Sequence, residues 1–338
     1  MIVSRWVYAA LALAVALVVE PLGAEAQRAN PFLKAKTWAF QLKNLEAGEQ
    51  AKIAASPFDL VVIDSEKFPG GVETPLTREE VERMKKKPDG SRRLVIAYMS
   101  AGETENYRFY WKPEWNKNRP AWMGKENKQW PGNYLAQYWQ PVWQNIIFGN
   151  PNSFVDRIIN SGFDGFYVDR ADAYYYYGDT QERRSQMADF IIKMTNYMRS
   201  KKPDVAILVQ NAEELLDKPD YVAAIDGIAK EDLIFGISHS EKMNPVSDIE
   251  PSTALLQKAQ KAGKAIFVIE YLRQQANIDL VKKRLDALGF VMYVGPRGLG
   301  ELIASGGPRP GPDDPNPGKV GAEPGKVKKL INKVLKKT

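Results

Sequence analysis

The sequence predicts an α/β fold, a (β/α)8 TIM barrel, from three observations: the number of strand-like segments, their alternation with helical segments, and the chain length. Segments rich in β-branched and aromatic residues recur along the chain, and most are separated by helically spaced apolar residues. Strands that alternate with helices form parallel sheets, and eight such strands close into a barrel. The chain has 338 residues, a length that this fold accommodates in one domain.

The predicted strands are short and regularly distributed. They span Trp38–Asn44, Leu60–Ser65, Leu94–Ser100, Gly165–Arg170, Ala206–Asn211, Gly227–Glu231, Ala265–Leu272 and Phe290–Gly295. An open, doubly wound sheet is the alternative arrangement of the same elements, and nucleotide-binding forms of that fold carry a glycine-rich phosphate loop after the first strand. The sequence has no such loop at that position, so the barrel is favoured.

Helical segments are predicted from apolar spacing and from signals at their ends. They cover Glu46–Ala55, Thr77–Lys87, Pro141–Ser161, Gln181–Lys201, a short turn at Ala212–Leu216, Pro251–Ala262 and Asn277–Leu288. Thr77 and Glu80 have the spacing of a capping box. Gly162, Gly263 and Gly289 each follow a helical segment, where glycine commonly ends a helix.

The connection after the third predicted strand, from Ala101 to Gln140, is long and rich in tryptophan. Six of the eight tryptophans lie in it or just after it: Trp111, Trp115, Trp122, Trp130, Trp139 and Trp143. Loops of this length are usually functional or disordered, and disordered segments are poor in aromatic residues. We therefore expect some of these rings to stack on sugars. The alternative is a small hydrophobic core of the loop itself, which we expect for at least half of them.

Composition excludes several kinds of site. The chain has no cysteine and a single histidine, His239, which excludes cysteine nucleophiles and the usual zinc and iron sites. We expect no metal and no cofactor, although a metal site made only of carboxylates stays open as an alternative. The sequence contains no nucleic-acid-binding motif, so nucleic acid is not expected as a partner. Carboxylates and tyrosines remain as the catalytic groups.

Both ends of the chain differ from the predicted barrel domain, which spans residues 27–304. Residues 1–26 combine a positive start, a short apolar run and an A-x-A site, which predict a cleavable signal peptide and a secreted or periplasmic protein. An uncleaved anchor is the alternative. Residues 305–325 are rich in proline and glycine and predict a disordered linker.

Residues 326–338 form a basic tail in which apolar residues recur at helical spacing among lysines. The residues after Ala304 include eight Lys or Arg and three Asp or Glu, so they carry +5 of the net charge of +6. A basic amphipathic segment suits weak contact with an anionic membrane or cell surface. A tail that only increases solubility is the alternative.

Carboxylates at the carboxyl ends of strands are the strongest functional signal. Asp64, Asp169 and Glu231 end their predicted strands, and Glu270 lies within the seventh. Alternation along the fourth strand places Tyr167 on the same face as Asp169. Glycoside hydrolysis needs two carboxyl groups beside the scissile bond, one to attack or to position water and one to protonate the leaving oxygen. Each of the four carboxylates can instead form an ion pair at the mouth of the barrel.

A series of motifs extends this signal over residues from about 36 to 300. They are Trp38–Leu42, Asp64, Ala97–Glu103 with Arg108 and Trp111, Gly162–Gly165, Asp169, Asp172–Tyr174, Gln210–Leu215, Glu231 and Glu270–Tyr271. Together, and in this order, they resemble glycoside hydrolase family 114, the endo-α-1,4-polygalactosaminidase family and its exported relatives. The resemblance implies a β/α barrel, in agreement with the strand count.

The resemblance also implies a retaining mechanism, with Asp169 as nucleophile and Glu231 as acid/base. The residues implied to line the substrate site are Asp64, Tyr98, Glu103, Arg108, Asp172, Asn211 and Tyr271. The expected partner is an α-linked polysaccharide, with α-1,4-galactosaminan as the substrate that the family suggests. A barrel that binds polysaccharide without turnover and a metal-dependent barrel hydrolase are the competing hypotheses.

Overall fold

The computed structural model describes residues 28–303. The predicted signal peptide, the linker and the basic tail lie outside these residues and stay predictions. Within residues 28–303, no helix is long and apolar enough to cross a membrane.

Eight parallel strands form the centre of the domain over residues 28–303. They are β1 (Trp38–Gln41), β2 (Leu60–Asp64), β3 (Leu94–Ser100), β4 (Gly165–Asp169), β5 (Ala206–Gln210), β6 (Gly227–Glu231), β7 (Ala265–Glu270) and β8 (Val291–Val294). Each strand pairs in parallel with the next one along the chain. β1 and β8 meet where the Trp38 indole N–H donates to the carbonyl oxygen of Val291 at 3.1 Å. The predicted barrel is confirmed.

The strands are almost continuously buried because helices cover their outer face and side chains fill the interior. All residues of β2 and of β5 are buried. Inside the barrel, the Tyr167 ring packs on Phe40 with ring centroids 5.0 Å apart and on Tyr98 at 6.3 Å. These three rings form an aromatic layer just below the carboxyl ends of the strands.

In the described part of the chain, eight α-helices accompany the strands. They are α1 (Ala47–Ala55), α2 (Arg78–Lys85), α3 (Pro141–Ile147), α4 (Phe154–Asn160), α5 (Gln181–Lys201), α6 (Pro219–Ala224), α7 (Val246–Lys261) and α8 (Gln275–Leu288). The predicted capping box forms at the start of α2, where Thr77 and Glu80 each accept the other's backbone N–H. The three predicted glycine stops all have positive φ.

Three helix predictions need correction. The segment predicted as one helix over Pro141–Ser161 is two, because Gly149 adopts a φ of 100° and Pro151 lacks an N–H, after which Ser153 caps α4. α7 begins before Pro251, which is the sixth residue of the helix and costs it one backbone hydrogen bond. α6 follows the predicted turn at Ala212–Leu216 and was not predicted.

The long connection after β3, here called the β3 loop (101–140), carries a small sheet of its own. Three antiparallel strands, Glu103–Glu105, Asn133–Ala136 and Met123–Glu126, lie in that order. The Trp122 ring lies between Trp115 and Trp143, with centroids 5.4 Å and 5.5 Å away. These three tryptophans are buried, so half of the six form a hydrophobic core for the loop.

Candidate active site

A cavity of about 570 Å³ opens at the carboxyl ends of the strands. Every strand contributes a lining side chain, either its own or from the residues that follow it: Phe40, Asp64, Tyr98, Asp169, Gln210, Glu231, Tyr271 and Arg297 for β1 to β8 in turn. The carboxyl face is where barrels of this class carry their chemistry. The cavity is therefore the candidate active site.

The structure brings eight of the nine predicted site residues to this cavity. They are Asp64, Tyr98, Glu103, Asp169, Asp172, Asn211, Glu231 and Tyr271. Arg108 is buried behind the wall and reaches the site through its ion pair with Asp64. The individual roles of these residues stay predictions.

Asp169, at the end of β4, is held by two short hydrogen bonds. The Tyr98 hydroxyl donates to Oδ2 at 2.6 Å and the backbone N–H of Arg170 donates to Oδ1 at 2.6 Å. Burial and the negative charge of Glu231 raise the pKa of Asp169 from 3.8 to about 7, against the opposing effects of the Arg170 charge and the Tyr98 bond. The two hydrogen bonds fix the position of the Asp169 carboxyl group, and its charge state depends on that of Glu231.

Glu231, at the end of β6, is held on both oxygens. The Tyr271 hydroxyl donates to Oε1 and the Gln210 side-chain amide donates to Oε2. Burial and the charge of Asp232 raise the pKa of Glu231, while the Tyr271 hydrogen bond and the Arg297 charge lower it. A carboxyl group with a raised pKa keeps its proton nearer neutral pH, as a general acid requires.

The two carboxyl groups face one cavity from strands that flank β5. Because the charge of Glu231 contributes to the raised pKa of Asp169, a proton on Glu231 makes ionisation of Asp169 easier. The pair is therefore suited to hold one proton between two sites, with one group ionised and one protonated. This division of charge is what a nucleophile and an acid acting on one bond need.

Tyr167 lies two residues before Asp169 on the inward face of β4 and is fully buried. Its hydroxyl has no hydrogen-bond partner among residues 28–303. Burial, followed by the charges of Glu231 and Asp169, raises the pKa of Tyr167 well above 10. The hydroxyl therefore stays protonated beneath the pair.

The backbone turns sharply just after three of the strands that carry site residues. Arg170, Asn211 and Asp232 each follow the last residue of β4, β5 and β6, with φ of 58°, 55° and 50°. Left-handed conformations are costly for residues other than glycine and persist where surrounding contacts hold them. Two of the three side chains are held by ion pairs at the mouth: Arg170 with Glu103 at 2.7 Å and Asp232 with Arg297 at 2.9 Å.

On the opposite side of the cavity, one arginine neutralises two buried carboxylates. Arg108 donates from Nη1 and Nη2 to Asp64 at 2.7 Å and 2.8 Å, and from Nε to Glu105 at 2.6 Å. Burial is the largest single effect and lowers the pKa of Arg108. The charges of Asp64 and Glu105 together outweigh it, so the pKa lies well above its usual value. We call these residues the Arg108 cluster.

A sequence model of the glycoside-hydrolase family GH114 matches residues 20–306. The chain belongs to family GH114. It is thus a glycoside hydrolase by family, and the resemblance predicted from its motifs is confirmed.

Relatives of similar sequence come from other organisms. An uncharacterised protein of Methanocaldococcus jannaschii is 37% identical over 274 residues, which cover 76% of this chain and 74% of the relative. An uncharacterised protein of Deinococcus radiodurans is 34% identical over 267 residues, covering 79% and 82%.

Solved structures share the fold of this GH114 domain. The glycoside hydrolase domain of PelA from Pseudomonas aeruginosa superposes with a TM-score of 0.57 at 17% identity, covering 80% of this chain and 98% of that domain. Ega3 of Aspergillus fumigatus, solved in complex with galactosamine, has a TM-score of 0.55 at 16% identity, covering 83% and 98%. At these identities the likeness concerns the fold.

Several residues of the GH114 cavity were missed by the sequence analysis. Glu66, Glu105 and Arg297 line it, although none ends one of the eight barrel strands. Glu66 lies two positions beyond Asp64, a spacing that alternation could have pointed to, whereas Arg297 follows β8 in a segment with no distinguishing pattern. Among residues 28–303, no group of three His, Cys, Asp or Glu side chains is arranged to hold a metal ion.

Glu270, one of the four candidate carboxylates, does not line the cavity. It is fully buried and accepts the backbone N–H groups of Ile234 at 2.7 Å and Phe235 at 3.2 Å. It therefore supports the segment that follows Glu231.

Proposed function

We propose that this protein is an exported, retaining glycoside hydrolase that cleaves α-1,4-linked galactosaminan within the chain. The observation that carries the catalytic part is the placement of half-buried Asp169 and Glu231 in one cavity, with the charge of Glu231 raising the pKa of Asp169. The export part follows from residues 1–26, which predict a cleavable signal peptide.

In the proposed first step, ionised Asp169 attacks the anomeric carbon while protonated Glu231 gives its proton to the leaving glycosidic oxygen. The carbon–oxygen bond to the leaving sugar breaks as the bond to Asp169 forms. In the second step, the Glu231 carboxylate takes a proton from water, whose oxygen attacks the same carbon and releases Asp169. Tyr98 keeps the Asp169 carboxyl oriented through both steps.

The charge of the cavity supports an amino sugar as the substrate. Its wall holds eight carboxyl groups and four cationic side chains. The carboxyl groups are Glu46, Asp64, Glu66, Glu103, Glu105, Asp169, Asp172 and Glu231, and the cations are Lys43, Lys67, Arg170 and Arg297. A cavity with excess acid attracts cationic chains, and galactosamine units carry an ammonium group. The galactosamine bound in Ega3 supports the same choice.

The test is incubation of the protein with partly deacetylated α-1,4-galactosaminan, with mass spectrometry of the soluble products and NMR of the first anomer released. Short oligosaccharides of several lengths with the α-configuration at the new reducing end are expected. Products of β-configuration would contradict retention. Binding of the polymer with no product from wild-type protein would favour the non-catalytic alternative.

Export is tested separately, by N-terminal sequencing of the protein recovered from the extracellular or periplasmic fraction. A chain that begins near residue 27 is expected. A full-length chain retained in the membrane fraction would favour the uncleaved anchor.

A further inference from the structure

We propose that Glu66 anchors a second sugar subsite, which binds the ammonium group of an amino sugar on the side of the cavity opposite Glu231. This inference rests on the proposed function, because it assumes that the substrate is a polymer of amino sugars. It adds a residue that recognises the free amine of the sugar. This residue is separate from Asp169 and Glu231, which are proposed to break the glycosidic bond.

The position of Glu66 follows from the topology. Glu66 lies just after β2 on a short antiparallel hairpin, paired with Pro75. In an eight-stranded barrel, β2 and β6 are diametrically opposed, so Glu66 and Glu231 lie in opposite walls. Glu66 lines the cavity although the residue is only 1% exposed.

One oxygen of this carboxyl group has no hydrogen-bond donor in the part of the chain that the structure describes. Oε2 of Glu66 is buried and receives no hydrogen bond from any residue that the structure describes. Oε1 lies 3.8 Å from Nε of Arg157, which is beyond hydrogen-bond distance. In the Arg108 cluster, by contrast, both oxygens of Asp64 accept hydrogen bonds. The unused acceptor in this wall therefore belongs to Glu66.

The charges around Glu66 make this acceptor costly when it is ionised. Burial and the charge of Glu73 raise the pKa of Glu66 from 4.5 to about 7, with Asp64 adding to this and Arg157 and Arg108 opposing it. Oε1 of Glu73 is also buried without a donor among the described residues. An ammonium group at Oε2 would supply the missing charge and hydrogen bond, and such charge-assisted bonds are strong where water is excluded.

An aromatic surface beside Glu66 suits the apolar face of a sugar ring. Phe68 and Tyr107 both line the cavity, and their rings meet edge to face with centroids 5.7 Å apart. Tyr107 is 41% exposed, yet its hydroxyl donates to Glu105 at 2.8 Å and Arg108 lies over its ring. Phe68, two residues beyond Glu66, and the exposed Tyr107 ring that it meets offer an apolar contact beside the unpaired acid. Together they give the two kinds of contact that a single amino-sugar unit needs.

The experiment measures binding in the Asp169→Asn background, so that the ligand is not cleaved. An α-1,4-galactosamine oligomer and its fully N-acetylated counterpart are titrated calorimetrically at pH 8, with and without Glu66→Gln. Loss of one charge-assisted bond weakens binding by about tenfold or more. We expect that loss for the amine oligomer and an unchanged affinity for the acetylated one. Glu114→Gln, an exposed acid in the same β3 loop, is the charge-matched control and should change neither.

A second measurement separates ligand recognition from a structural role. Because burial and the charge of Glu73 raise the pKa of Glu66 from 4.5 to about 7, the contribution of this group to stability is lost as the pH rises from about 4.5 to 7, and the loss is complete above pH 7. Glu66→Gln should therefore raise the melting temperature at pH 8 and change it little at pH 5. A lower melting temperature at both pH values would show that Glu66 serves the fold, and would overturn the proposal.

The binding results also distinguish the subsite from the proposed function. If the Asp169→Asn protein binds neither oligomer, both the function and the subsite are wrong. If it binds the amine oligomer and Glu66→Gln weakens both oligomers equally, or neither, the function stands and the subsite is wrong.

Discussion

Two pairs of carboxylates line the same cavity and differ in how their charge is balanced. Asp64 and Glu105 share the Arg108 guanidinium through three hydrogen bonds of 2.6–2.8 Å. Asp169 and Glu231 accept hydrogen bonds from neutral side chains, Tyr98, Tyr271 and Gln210, and each lies in the field of another acid. An acid bound to arginine is held in one charge state, whereas an acid held by neutral donors can gain and lose a proton.

The largest expected effect is the loss of activity in Asp169→Asn. The amide is a poor nucleophile and cannot stabilise the positive charge that develops on the sugar, so kcat should fall by about 10⁴-fold or more. Steady-state hydrolysis of an activated aryl α-galactosaminide measures it. The matched change in the other pair, Asp64→Asn, should leave a larger fraction of kcat. Equal loss in both variants would contradict the assignment of the nucleophile.

Glu231→Gln should show a smaller effect that depends on the leaving group. General acid catalysis contributes about 10²–10⁴-fold, so polymer hydrolysis should fall by about that factor. An activated leaving group needs no proton, so formation of the glycosyl-enzyme should stay near the wild-type rate in a pre-steady-state burst. Equal loss on both substrates would show that Glu231 isn't the acid.

Disrupting the Arg108 cluster should lower the free energy of unfolding more than a change in the Asp169–Glu231 pair. Arg108→Met leaves two buried carboxylates without a counter-charge, and breaking a buried ion pair in this way costs about 3–5 kcal/mol. Chemical denaturation at pH 8 measures the free energy of unfolding. A triple variant that adds Asp64→Asn and Glu105→Gln to Arg108→Met removes the unpaired buried charges. It should recover most of the lost free energy of unfolding. No recovery would mean that the arginine acts through packing.

The proposed catalytic pair, Asp169 and Glu231, should respond to pH in the opposite sense to an ordinary ion pair. The pKa of Asp169 is raised from 3.8 to about 7 by burial and then by Glu231, so the folded state binds this proton more tightly than the unfolded chain. Its contribution to the free energy of unfolding is present at low pH and is lost as the pH rises from about 4 to 7. Asp169→Asn should flatten that part of the stability curve. An unchanged curve would contradict the raised pKa.

Tyr167→Phe is expected to have the smallest effect. The change removes a buried hydroxyl that has no partner among residues 28–303, and leaving such a group unpaired costs about 1–3 kcal/mol. Stability should therefore rise by up to about that amount while kcat stays within a few-fold of wild type. A large drop in kcat with a shifted pH profile would show instead that the hydroxyl bonds to the pair during the reaction.

The sequence by itself determined the barrel and placed the carboxyl ends of its strands to within about three residues. Strand and helix signals are local, since they depend on alternation, apolar spacing and end residues such as the Thr77–Glu80 box. The carboxyl ends of parallel strands meet at one face, so Asp169 and Glu231 could be placed together without coordinates. The break at Gly149 was missed because apolar spacing continues on both sides of it.

Only the tertiary structure decided which carboxyl groups are paired with a positive charge or with backbone N–H groups, and which are held by neutral side chains. Asp64, Asp169, Glu231 and Glu270 look alike in sequence, yet Asp64 meets an arginine 44 residues away and Glu270 meets backbone N–H groups 36 and 35 residues away. The pKa of a carboxyl group depends on burial and on neighbours within a few ångströms, and those neighbours come from other strands and loops. For the same reason the unpaired Oε2 of Glu66 is recognisable only once the cavity wall is assembled around it.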